Sequence, residues 1–186
     1  MTRKPLIPHI IPRVLRAVLF ALVGVAFFTH WVVTDPSRDG PITTAWPHVL
    51  AFSGLLIAFA VALPVYGRMV GGRWVLRLSL VAGAGAALGS VGNIVEDGFG
   101  IGWAFWSVIV SLLIIDLALL ALAVVIVRTG RGSHRLLALV PAATVAAIIF
   151  YTGPGGVIML VTWLAAAAVA LALHARAAAR AAPATT

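Results

Sequence analysis

Two adjacent carboxylates, Glu96 and Asp97, stand in the segment SVGNIVEDGFGIGW, residues 90–103, with the amide of Asn93 one turn before them. Helical offsets of three and four would set the amide and the acids on one face. Carboxylates just below a membrane surface can hold or release a proton near neutral pH, and a neighbouring amide can orient whatever they act on. A third acid, Asp116, stands in SLLIIDLALLALAVV. A charged side chain at the bilayer centre costs about 2.5–3.5 kcal/mol on insertion scales. The sequence therefore predicts that Asp116 faces the protein interior as a neutral acid, either packed for structure or acting as a proton donor or relay. Ser53, Ser79, Ser107, Ser111 and Thr144 are the hydroxyls available to it.

His30 and His48 join the acids at the same expected depth, with Trp31, Trp46, Trp103, Trp106 and Tyr151 around them. Each has a plain structural explanation too. Trp and Tyr favour membrane interfaces. A lone His in an apolar helix can simply donate to a carbonyl. Asp97-Gly98 is a turn dipeptide, and Asp35 and Asp39 in TDPSRDGP have turn character, with Arg38 at hand as a partner. Taken together, the candidate catalytic residues are Glu96, Asp116, Asn93, His30 and Asp97. The candidate substrate-binding residues are Trp31, Trp103, Trp106, Tyr151 and His48.

Cysteine is absent from the sequence. That excludes thiolate catalysis, iron–sulfur clusters and thiol-attached haem. His30 and His48 with Glu96, or His134 with His174, are the remaining ligand sets for a metal. Neither has a diagnostic spacing, so no metal and no cofactor are expected.

The elements that must position these groups follow from composition. The chain is 62% apolar and 10% charged, against about 45–50% and about 25% in soluble domains. So much apolar surface cannot be hidden inside 186 residues, so the solvent must be a bilayer. A spanning helix needs roughly 20 apolar residues. Six stretches qualify, about Val14–Thr34, His48–Tyr66, Trp74–Val95, Trp103–Val127, Leu136–Thr152 and Val157–His174. Turn-forming segments separate them: DPSRDGP, GRMVGGR, DGFGIG, RTGRGSHR and GPGG. The apolar part of the first stretch is too long for a signal peptide and lacks a cleavage site after it.

The fold class is therefore an all-α, six-span transmembrane bundle. Residues 1–13 form a basic N-terminus, 14–174 the membrane domain and 175–186 an Ala/Arg-rich tail. The net charge of +8 falls in clusters between apolar runs, a pattern of membrane orientation rather than of nucleic-acid binding. Arg3, Lys4, Arg13, Arg16, Arg68, Arg73, Arg77, Arg128, Arg131, Arg135, Arg176 and Arg180 fall on one side, and only Arg38 on the other. The positive-inside rule makes the rich side cytoplasmic. The expected location is a bacterial-type plasma membrane, with both termini cytoplasmic.

Gly83, Gly85, Gly89 and Gly92 mark the third span for close helix approach, Gly85 and Gly89 as a GxxxG pair. Pro64 and Pro141 should trim or kink their helices. If the third span turns back near Phe99, Asp116 lies opposite about Ala82 and Glu96 opposite about Gly102. At 1.5 Å per residue that separates the two acids by roughly 20 Å.

Acids, imidazoles and aromatic rings in one layer suit an enzyme that moves protons on a lipophilic substrate, such as an isoprenoid or terpene cyclase or a sterol-type isomerase. Such a carbocation needs aromatic faces and little water. The expected partners are the bilayer and that substrate, not nucleic acid. The alternatives are a proton-coupled transporter or channel, which with six short spans would act as a homo-oligomer, and a small accessory membrane subunit. Against a carrier, no inverted repeat or paired broken helix is visible.

Overall fold

The computed structural model describes residues 11–34, 46–151 and 153–181. Asp35, Arg38 and Asp39, read above as a polar turn, lie outside the described residues, as do Arg3 and Lys4. Six helices are long and apolar enough to cross a membrane, and the protein is an all-α membrane bundle. They are α1 (Ile11–Thr34), α2 (Trp46–Val70), α3 (Arg73–Asn93), α4 (Phe105–Thr129), α5 (Leu139–Ile149) and α6 (Gly155–Ala181). A π-helical turn, Ile94–Gly98, prolongs α3. Short 3-10 turns, Gly102–Ala104 and Gly132–Ala138, lead into α4 and α5.

Each helix packs on the next in the chain, and α6 returns to pack along α1, so the bundle closes on itself. One end carries Arg16, Arg68, Arg73, Arg77, Arg128, Arg131 and Arg135, and is called the arginine end. The other carries the candidate groups and is called the polar end. At the arginine end Gly71 and Gly72 take φ values of 85° and 94°. This left-handed conformation suits glycine, and it reverses the chain between α2 and α3 in two residues. Arg73 and Arg77 place their guanidinium groups 5.9 and 5.1 Å from the centre of the exposed Trp74 ring. A cation over an indole face at a helix end is an arrangement suited to the membrane interface.

The outer surface is apolar: Leu22, Val61, Leu117 and Val161 are each more than half exposed. The interior centres on Trp163 of α6, fully buried among Phe20 of α1 and Phe59 and Tyr66 of α2. Their rings meet edge to face at 5.5 to 6.4 Å, a geometry worth about 0.5–1.5 kcal/mol per pair beyond area burial. The Tyr66 hydroxyl donates to the Leu137 carbonyl, tying α2 to the turn before α5.

Lipid tails are as apolar as the helices, so hydrophobicity alone does not hold helices together in a bilayer; close packing does. The α3 glycines supply it on two sides. A Cβ on Gly85 would stand 2.9 Å from Ile114 Cγ2, and one on Gly89 would stand 2.5 Å from Ser111 Oγ. Gly92 abuts Ser107 in the same seam. Gly83 faces the other way, toward α2. Pro64 lies inside α2 and has no N–H, so the Ala60 carbonyl lacks its usual helical donor. The Gly83 hydrogen that a Cβ would replace points at this oxygen, 2.7 Å from the Cβ position. Pro64 therefore does more than trim a helix end, since it bares an acceptor that only glycine approaches so closely. Pro141 lies in the first turn of α5, where a missing N–H costs little.

Candidate functional site at the polar end

The polar end is organised around the first two turns of α2. His48 and Phe52 are four residues apart and share one face, while Val49 and Ser53 share the next. Each face meets a different neighbour.

On the His48 side, α1 brings in His30. Its ring lies 5.0 Å from that of Phe52, tilted by 32°. Its Nδ1 is 2.6 Å from the hydroxyl of Tyr151, which follows α5. The sharp turn that holds Tyr151 is closed by Gly153 N–H and Gly155 N–H, both donating to the Phe150 carbonyl at 2.9 Å. On α1 the Thr34 hydroxyl donates to the His30 carbonyl at 2.8 Å. Trp31 packs against the bare backbone of Gly156, which lets α6 close on α1. Two of the expected residues, His30 and Tyr151, are thus in direct contact, and Trp31 and His48 lie beside them.

Burial pushes the Tyr151 phenol up to about 12, and the Thr34 side chain opposes part of that rise. The phenol therefore keeps its proton at neutral pH. It can donate to Nδ1 of a neutral His30, which leaves the ring proton on Nε2. In that tautomer Tyr151 orients the imidazole, and Nε2 is the atom able to exchange a proton with a ligand.

On the Val49 side, Asn93 is buried. Its Nδ2 donates to Ser53 Oγ at 3.0 Å and to the Val49 carbonyl at 3.3 Å. Ser53 and Ser90 complete a ladder, each hydroxyl donating to the other's carbonyl, at 3.4 and 3.0 Å. The Nδ2 of Asn93 thus helps bind α3 to α2.

Glu96 and Asp97 follow in the π turn that prolongs α3 and packs on the start of α2. In the π turn the Phe99 N–H bonds the Ile94 carbonyl at 3.2 Å, five residues back. The wider turn replaces the α-helical offset over these residues. Both acids are half-buried at the rim. Gly98, next in the turn, rests on Trp46 at the start of α2, and Trp46 meets Phe99 edge to face at 5.4 Å. π turns of this kind are frequent at functional sites.

Trp103 and Trp106 stand apart at 73% and 68% exposure. They project from the start of α4 as interface anchors do. Asp116 is farther away. The pairing of Gly92 with Ser107 and of Gly85 with Ile114 sets it level with about Gly83 or Ala84, close to the expected Ala82. Five residues from Ser111, about which the α4 side of the α3–α4 seam centres, it points roughly 140° away from it. None of the five expected hydroxyls bonds it. Ser79, Ser107, Ser111 and Thr144 each donate to a carbonyl of their own chain segment, and Ser53 donates to Ser90. Asp116 Oδ1 is buried without a partner.

Sequence reasoning passed over Phe52, Thr34 and Ser90. The available signal was spacing: Phe52 is four residues after His48, and Thr34 four after His30. Among the described residues no three His, Cys, Asp or Glu side chains converge to hold a metal ion. Comparison with protein-family models, curated proteins and solved structures finds no match, so the site is read from its own chemistry.

Proposed function

We propose that the protein is an integral membrane enzyme performing acid–base chemistry on a lipophilic substrate at the polar end of the bundle. The reaction class is an isomerisation or cyclisation of an isoprenoid or sterol-like molecule. The observation that carries this reading is the 2.6 Å contact of His30 with Tyr151, walled by the Phe52 ring. One alkene carbon of such a substrate gains a proton from an acid, the cation forms on its double-bond partner, and the carbon beyond that cationic centre loses a proton to a base, so the double bond moves and atoms and charge balance. Glu96 or Asp97 is the proposed acid. His30, through Nε2, is the proposed base, and Tyr151 is its positioning residue. Phe52 and Trp31 offer π faces to the cation formed between the two steps.

The arginine distribution supports an orientation with both termini cytoplasmic, in a bacterial-type plasma membrane. The site would then open at the outer leaflet. A carrier that links Glu96 to Asp116 is less favoured. The α3–α4 seam between their depths is filled by the contacts of Gly85, Gly89 and Gly92.

Organic extraction of the purified protein followed by mass spectrometry tests the proposal. A discrete isoprenoid or sterol-like species, depleted in a His30→Ala variant, is the expected result. Recovery of bulk phospholipid alone would contradict it.

A further inference from the structure

The arginine end carries a feature of its own, separate from the polar end. Arg73, Trp74 and Arg77 lie together on the outer face of α3, and all three are exposed. Side chains of an α-helix lean toward its N-terminus, and residues three and four apart stand one above the other. α3 begins at this end, so Arg77 leans back over Trp74 and toward Arg73. Its guanidinium carbon stands 5.1 Å from the centre of the Trp74 ring, and that of Arg73 stands 5.9 Å from the same centre. Two cations are thus gathered at one indole.

The ring attracts each cation but carries no charge to neutralise them. The first turn of α3 holds no acid. Among the described residues Glu96 and Asp97 lie at the polar end, and Asp116 faces away from α3 further along the span. Other arginines at this end have carbonyls at hand. Arg68 stands in the last turn of α2, where helix carbonyls are free, and Arg135 Nε donates to the Gly130 carbonyl at 3.0 Å. We infer that Arg73, Arg77 and Trp74 form a site for the phosphate headgroup of an anionic lipid in the leaflet at the arginine end.

Three features select that occupant. A guanidinium fork matches two oxygens of a phosphate, and an exposed indole sits at headgroup depth. Directly beyond the pair the outer face of α3 turns apolar, with Leu80 48% and Val81 49% exposed. An anion held here therefore has hydrocarbon beside it, which favours a lipid phosphate over a free one. Two cations without an acid favour a headgroup of net negative charge, since a choline group would bring a third cation to the pair.

Native mass spectrometry of the full chain in detergent tests the site. The protein is titrated with phosphatidylglycerol and with phosphatidylcholine, and the bound phosphatidylglycerol is challenged with inorganic phosphate. Phosphatidylglycerol should bind at least about tenfold more tightly than phosphatidylcholine, at about fivefold per arginine near a membrane surface. The double variant Arg73→Gln, Arg77→Gln should lose that preference, and the double variant Arg128→Gln, Arg131→Gln, which removes the same charge from the same end, should keep it. Arg16, Arg68, Arg128, Arg131 and Arg135 remain in the first variant to hold the orientation. Should it fail to accumulate, the single Arg77→Gln, expected to weaken the preference about fivefold, gives the same reading. Equal affinity for the two lipids, equal loss in the two double variants, or displacement of the bound lipid by millimolar inorganic phosphate would overturn the inference.

Discussion

At the residue scale, the same burial gives His30 and Tyr151 their pairing and sets the state of the phenol. Tyr151 is raised from 10.0 to about 12 by burial. The group is neutral when protonated, so the sign follows directly. Its contribution to stability is fully present below pH 10 and is lost as the pH climbs toward about 12, because the unfolded chain releases the proton first. The difference in near-ultraviolet phenolate absorbance between wild type and Tyr151→Phe should half-titrate near pH 12. A midpoint near 10 would mean that the phenol is solvated and the proposed geometry around His30 is absent. His30, Tyr151, Trp31 and His48 were legible as a layer because depth along a span can be counted from sequence. Which of them touch was not legible, because that depends on how α1, α2 and the turn after α5 rotate about their axes. Asn93 illustrates the limit. Its type and position suggested chemistry, and spacing did not show that its Nδ2 also ties α3 to Ser53 and the Val49 carbonyl of α2.

At the element scale, glycine does different work at different positions of the membrane domain. Gly54 of α2 has no atom within 4 Å of the place a Cβ would take. Gly54→Ala should therefore be neutral or gain up to about 1 kcal/mol from helix propensity. Gly83→Ala drives a methyl group against the Ala60 carbonyl bared by Pro64, and Gly89→Leu overpacks the seam against Ser111. Each should cost about 1–3 kcal/mol. Reversible unfolding in mixed detergent micelles measures all three, and equal stability across the set would refute the packing account of α3. The GxxxG spacing announced close approach. It did not say that Gly85 and Gly89 serve α4 while Gly83 serves α2, since a helix carries two such faces and spacing alone does not assign partners. The π turn at Ile94–Gly98 was likewise beyond sequence reading, since nothing in IVEDG distinguishes it from a plain α-helical end.

At the scale of the whole molecule, six spans were legible because the bilayer forces long apolar runs with basic residues between them. The orientation is open to direct test. Gly153→Cys and Gly102→Cys, both exposed and free of close neighbours, should react with a membrane-impermeant thiol reagent from outside intact cells. Ser133→Cys should react only after the cells are opened, and its labelling from outside would reverse the assignment. The central claim, proton transfer to and from a lipophilic substrate at the polar end, leaves an isotopic record that does not require the substrate to be known. Purified protein is incubated with a membrane lipid extract in deuterium oxide, and the lipids are analysed by mass spectrometry. The account predicts a lipid species that gains non-exchangeable deuterium with the wild type and with Asp116→Asn. It predicts a rate at least about tenfold lower with His30→Ala and with the double variant Glu96→Gln, Asp97→Asn. A lipid fraction without deuterium after incubation with the wild type, or incorporation at the wild-type rate in both His30→Ala and the Glu96→Gln, Asp97→Asn double variant, would contradict it.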